Sequence, residues 1–218
     1  MRPPPTPLPI LLALVLAACG TPGDETASPD EDTTRAARAG GPSSEAGTAS
    51  VDDRVARALL AAPEPLRASA RVVAPRGDGP EVTTIRDGQG PLVCLADDPS
   101  DRRFQASCYH ESLGPFMARG RELRARGVQG SEVDSVRFRE IESGDLAMPD
   151  HPVALYTLAG PTPPAPDGSE LPEGSQRLFV LYVPGAGADQ VGLPAGPVEG
   201  YPWLMSSGSP KAHVMFTP

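Results

Sequence analysis

Apolar positions in this chain fall into short runs broken by Pro and Gly, and the runs change character along its length. Leu8 to Ala18 (LPILLALVLAA) is eleven residues without a polar side chain. From Gly20 to Ser50 no Val, Ile, Leu, Met, Phe, Trp or Tyr occurs. Folding patterns begin at Val51. Ser50 followed by VDDRVARALLAA predicts a helix: Ser50 caps it, Asp52 and Asp53 suit its positive end, and Val51, Val55, Ala58, Leu59 and Ala62 share a face. Pro63 and Pro65 stop it. Residues 68–74 and 81–86 read as strands joined by a Pro75–Pro80 turn. Asp87-Gly88-Gln89-Gly90 then leads into a third strand at 91–95, giving a three-stranded meander. Residues 115–126 read as a helix with Pro115 at its first turn and Gly127 as its terminator. Residues 133–138 fit either period. The runs at 153–159 and 177–183 are dense enough in apolar and aromatic residues for central strands, with a proline-rich loop between them. Residues 201–205 and 212–216 flank SSGSPK as a closing hairpin.

Eleven apolar residues are too few to span a bilayer, which takes about 20, and suit the core of a secretory signal peptide. The segment ends Leu16-Ala17-Ala18-Cys19-Gly20. This resembles the lipobox of bacterial lipoproteins, with Leu16, Ala17 and Ala18 at its small and apolar positions and Cys19 at the modified one. The resemblance implies cleavage before Cys19, a diacylglycerol thioether on its sulfur, and acylation of the new terminus. Each buried CH₂ contributes ~0.8 kcal/mol, so one acyl chain holds marginally while two or three hold for good. Gly20, where the family's inner-membrane members carry Asp, implies the outer membrane. Residues 20–50 carry six acids against two bases and cannot bury enough apolar area to offset ordering entropy, so they are expected to form a disordered spacer. Such a coil spans about 30 Å on average and about 100 Å at full stretch.

Composition narrows the rest. Gly (23) and Pro (28) are abundant in the 218 residues, so elements should be short and loops many. A formal charge of −9 argues against nucleic acid as a main partner. All ten aromatics lie from Phe104 onward, which would place most of the core in the later part of the chain. With Cys19 consumed as the lipobox resemblance implies, Cys94 and Cys108 are left in an oxidising compartment, where a bridge is the expected state, contributing about 3 kcal/mol. The stretches VCLADDP (Val93 to Pro99), CYHESLGPFMARGREL (Cys108 to Leu123) and AHVM (Ala212 to Met215) resemble a group of uncharacterised exported bacterial proteins that carry a paired-cysteine segment. That likeness implies no catalytic residues.

Candidate chemistry is sparse. His110, Glu111 and His213, with Asp97 or Asp98, have the donor types of an open zinc site, although nothing in their spacing requires them to meet. The alternative is that His110 and His213 are partly buried hydrogen-bonding residues. His151 reads as a loop residue. Tyr201 and Trp203, with Tyr156 and Tyr182, have the side chains of a sugar or peptide groove, or of a core. Arg119, Arg121, Arg124 and Arg126 make either an anion-binding patch or a solvated helix face. The sequence therefore leads to an α+β fold: a small antiparallel sheet with two or three helices, loop-rich, with one disulfide. Residues 1–18 are the signal segment, 19–50 the lipidated Cys19 and tether, and 51–218 one globular domain. The expected role is a non-enzymatic binding or structural module, bound to a bilayer through acylated Cys19, with an envelope protein, a peptide or a glycan as ligand and no cofactor. The second reading is a metal-dependent hydrolase built on His110, Glu111 and His213.

Overall fold

Ser50 opens the first helix as its chemistry requires. Its Oγ accepts a 3.1 Å hydrogen bond from the Asp53 N–H, satisfying one donor of the first turn of α1 (Val51–Leu59). The computed structural model describes residues 49–77 and 79–218. The signal segment, Cys19 and the tether as far as residue 48 lie outside the described residues. The carbonyls that end α1 are met by arginines: Leu60 O accepts from Arg177 Nη1 at 2.7 Å and Ala62 O from Arg67 Nε at 2.9 Å. Arg67 ends the short α2 (Glu64–Arg67). No described helix is long and apolar enough to cross a membrane.

The remaining elements are β1 (Arg71–Pro75), β2 (Val82–Arg86), β3 (Leu92–Leu95), β4 (Phe104–His110), the 3₁₀ turn Glu111–Leu113, α3 (Gly114–Ala125), α4 (Ser131–Glu142), β5 (Val153–Gly160), β6 (Gln176–Tyr182), α5 (Ala188–Val191), β7 (Trp203–Met205) and β8 (His213–Phe216). The strands form one eight-stranded sheet in the order β2-β1-β3-β4-β5-β6-β8-β7. This corrects the expected small antiparallel sheet with two or three helices: the sheet is large and mixed, and the described residues hold five α-helices.

Two features account for the difference. First, β3 pairs with β1 in parallel, through Val72 and Cys94, and not with β2, so the expected meander does not form. The chain leaving β2 crosses the start of β1, where the Gly90 N–H donates to Ser69 O at 2.8 Å. A Cβ on Gly88 would lie 2.4 Å from the Ala70 carbonyl carbon, so the crossing needs a residue without a side chain. Second, β4 is a full strand that pairs β3 on one side and β5 on the other, joining the two halves of the sheet.

Helices cover both faces. On one, Ala58, Leu60, Ala61 and Ala62 pack against Val72, Ala74, Leu92, Cys94, Ala106 and Cys108. On the other, Leu113 and Phe116 pack against Val73, Val93, Tyr109, Val153, Leu155, Val180 and Tyr182. Burial on both faces is why β1 and β3 read as continuous apolar runs. The first core is assembled largely from small aliphatics between residues 58 and 108, so it needs few of the aromatics that cluster later in the chain. The Cys94 and Cys108 sulfurs are bonded at 2.08 Å, crossing directly between β3 and β4.

Candidate functional site

The histidines do not converge as a zinc site would need. His213 pairs with Tyr182 on β6, which in turn pairs with Val153 on β5, while His110 pairs with Leu92 on β3. Three strand spacings separate β4 from β8, about 14 Å. The faces differ too. His110 continues the alternation of Ala106 and Cys108 toward α1, whereas His213 stacks on Tyr182 at 5.3 Å on the side of α3. Glu111 is exposed in the 3₁₀ turn. Asp97 stands at the far end of the β3–β4 pair, where its Oδ1 accepts the Gln105 N–H at 2.7 Å. Its carboxyl is raised by burial, partly offset by that bond. Among the described residues no three His, Cys, Asp or Glu side chains lie close enough to hold a metal ion.

His213 instead behaves as a hydrogen-bonded core residue. Its Nδ1–H donates to Lys211 O at 2.6 Å, and burial holds its pKa below the usual value of 6.5. His110 has a neighbour that sequence reasoning missed, since the loop before β5 brings the His151 ring to 6.4 Å from it, edge to face. Tyr201 and Trp203 do not share a groove. Tyr201 is 68% exposed in a loop bridged to Val198, while Trp203 is 8% exposed within β7. Tyr156 and Phe179 pack edge to face at 5.6 Å on the sheet.

A concavity of about 670 Å³ lies on the α3 side of the sheet. Its position follows from how β4 is covered. Leu113 and Phe116, leading into and opening α3, cover Tyr109 near the end of β4. Gln105 and Ser107 point the same way but nearer its start, and they are left as an open floor. Leu95 and Ala96 extend that floor across β3. One wall is α3, through Phe116, Met117, Arg121 and Arg124; Tyr182, Arg137 and Lys211 close one end. Glu81, Asp98 and Asp101 also line the concavity, from the β1–β2 turn and the β3–β4 loop.

The closed end is held by a charged knot. Asp134 Oδ2 accepts from Lys211 Nζ at 2.8 Å, and its Oδ1 accepts from Arg137 Nη2. Arg137 Nη1 donates to Phe116 O at 3.1 Å, and its guanidinium lies 3.7 Å from the centre of the Phe116 ring. Only 5% of the Arg137 side chain is exposed, and its Nε has no partner. Burial alone would raise the Asp134 carboxyl, but the bonds from Lys211 and Arg137 outweigh it and hold it below the usual carboxylate range. Burial raises the neighbouring Tyr182 hydroxyl.

The structure divides the four arginines of α3. Arg119 is taken up by Glu140, through Nη2 at 2.6 Å, and by Glu122 at 2.8 Å. Arg121 Nε donates to Pro80 O at 3.2 Å and braces α3 on the β1–β2 turn. Arg126 is exposed past the helix end. Arg124, like Arg121, lines the cleft with no carboxylate within bridging distance among the described residues. A second cavity of about 280 Å³ lies near the start of α1, lined by Arg54, Arg57, Arg102 and Arg103 with Asp97 and Asp101. There Arg54 and Arg57 donate to the carbonyls of Asp97 and Pro164, at 3.3 and 2.9 Å, and so fasten loops.

No protein-family model, curated protein or solved structure matches this chain.

Proposed function

We propose that this chain is a lipid-anchored protein of the bacterial cell envelope whose folded domain is a non-enzymatic binding module, with the cleft beside α3 as its ligand site. The anchor rests on the apolar run Leu8–Ala18 and the Leu16-Ala17-Ala18-Cys19 segment, with Gly20 favouring the outer membrane. Two or three acyl chains on Cys19 hold the domain at the bilayer without spanning it.

The observation that carries the binding reading is the cleft itself. At about 670 Å³ it falls within the range of small-molecule sites, and its lining combines apolar surface with a few directed charges. It is built on rigid elements, since its floor belongs to central strands and its closed end to a buried ion-pair knot. Ser107 is half-buried on the floor, so Ser107→Trp fills the cleft. The test is a thermal-shift screen of envelope-derived peptides, glycans and organic acids against the wild-type chain and this variant. A ligand that stabilises the wild-type chain and leaves Ser107→Trp unmoved supports the reading. Ligands that stabilise both equally place binding elsewhere and refute it.

A further inference from the structure

We infer that the cleft is an oxyanion receptor: it takes a ligand with a carboxylate or phosphate group held between Arg124 and Arg137 and an apolar body lying along Leu95, Met117 and Tyr182. The inference rests on the cleft being the ligand site and names the chemistry it selects.

Two guanidinium groups meet over one glycine. From the point where a Cβ on Gly120 would sit, Arg137 Nη1 is 3.0 Å away and Arg124 Nη1 3.1 Å. A Cβ at 120 would crowd both. Like charges brought this close leave a positive field, since among the described residues no carboxylate pairs with Arg124. Asp134 is already shared between Arg137 and Lys211, so this end carries one cation more than its carboxylate neutralises, before Arg124 is added. Arg137 cannot swing away to water. It is clamped on Phe116 O and stacked on the Phe116 ring, with its Nε unpartnered. A planar guanidinium held in place matches the geometry of a carboxylate or phosphate. Glu81, Asp98 and Asp101, which line the cleft from the β1–β2 turn and the β3–β4 loop, turn the selection into an orientation, because they repel an anion from their side and favour its seating at Arg124 and Arg137.

The test uses three water-soluble probes with one apolar body: 4-phenylbutyrate, 4-phenylbutyl phosphate and 4-phenylbutylammonium. Each is titrated calorimetrically into the full chain in lipid nanodiscs, with empty nanodiscs as the blank. One or both anions are expected to bind at one site per chain, at least about tenfold more tightly than the ammonium probe. Which anion binds better identifies the group. Arg124→Gln, on an exposed helix end where folding does not depend on it, should weaken the anions about tenfold or more and leave the ammonium probe unchanged. Anion and cation binding alike, both abolished by Ser107→Trp, would overturn the inference and leave the cleft as ligand site. No binding by any probe would overturn both.

Discussion

Asp134→Asn is the perturbation that most sharply tests the charged knot at the closed end of the cleft. The carboxylate accepts from Arg137 and Lys211 at once, and the Arg137 side chain is only 5% exposed. An asparagine keeps the shape and one acceptor oxygen but removes the charge, leaving the buried guanidinium without a counter-ion. Breaking a buried pair in this way costs about 3–5 kcal/mol; Asp134 is 28% exposed, which places the loss near 3 kcal/mol at the lower end. Lys211→Met, which leaves Arg137 its partner, should cost no more than about 1 kcal/mol. Trp203 is the one tryptophan in the chain and is buried, so its emission reports unfolding in urea. With a urea dependence of about 1–3 kcal/mol per molar, the Asp134→Asn midpoint should fall by about 1–3 M. The effect carries a pH signature. The Asp134 pKa is depressed in the folded state, so its contribution is complete above the unfolded value of about 4 and is lost as pH falls through the lower folded value. The gap between wild type and variant should therefore close as pH falls below about 4. A midpoint unchanged at pH 7, or a gap independent of pH, would refute the account of the knot.

Three further outcomes follow from other parts of the fold. Replacing Cys94 and Cys108 together by Ala should lower stability by about 3 kcal/mol in the same urea assay under non-reducing conditions, and a variant as stable as wild type would contradict the strand-pinning role. Gly88→Ala would drive a Cβ to 2.4 Å from the Ala70 backbone, whereas Gly79→Ala meets open space; the first should cost about 2 kcal/mol or more and the second about nothing, and equal costs would sink the crossing argument. The His213 ring should titrate below 6.5 by proton NMR, because burial disfavours its charged form. Its contribution to stability is then complete above about 6.5 and is lost as pH falls toward the lower folded value, and a midpoint at or above 6.5 would contradict the buried, neutral assignment.

The parts of this fold that read from sequence are those with a local cause. Ser50 and its acidic first turn marked α1, Pro115 and Gly127 bracketed α3, and the dense runs of β5 and β6 marked two inner strands. β4 was missed because Gln105 and Ser107 interrupt its apolar residues, and those same two polar positions form the floor of the cleft. α4 resisted assignment because its buried face is Val133 and Arg137, a charged residue where a helix pattern expects an apolar one. The strand order depends on a backbone crossing permitted by Gly88 and Gly90, and no hydrophobic period encodes that. The candidate site was legible only as a run of arginines on one helix. Their division into Arg119 with its glutamates, Arg121 on a backbone carbonyl and Arg124 in the cleft requires partners more than fifteen residues away in two of the three cases. The pairing of His110 with His151 required the loop before β5, whose path carries no spacing signal.

The most direct measurement is the mass of the N-terminal peptide recovered from protein extracted out of its own membranes. A lipid-anchored binding domain predicts a peptide beginning at Cys19 and carrying the mass of a diacylglycerol thioether with a further acyl group. A peptide that begins elsewhere, or begins at Cys19 with a bare sulfur and amine, would contradict it.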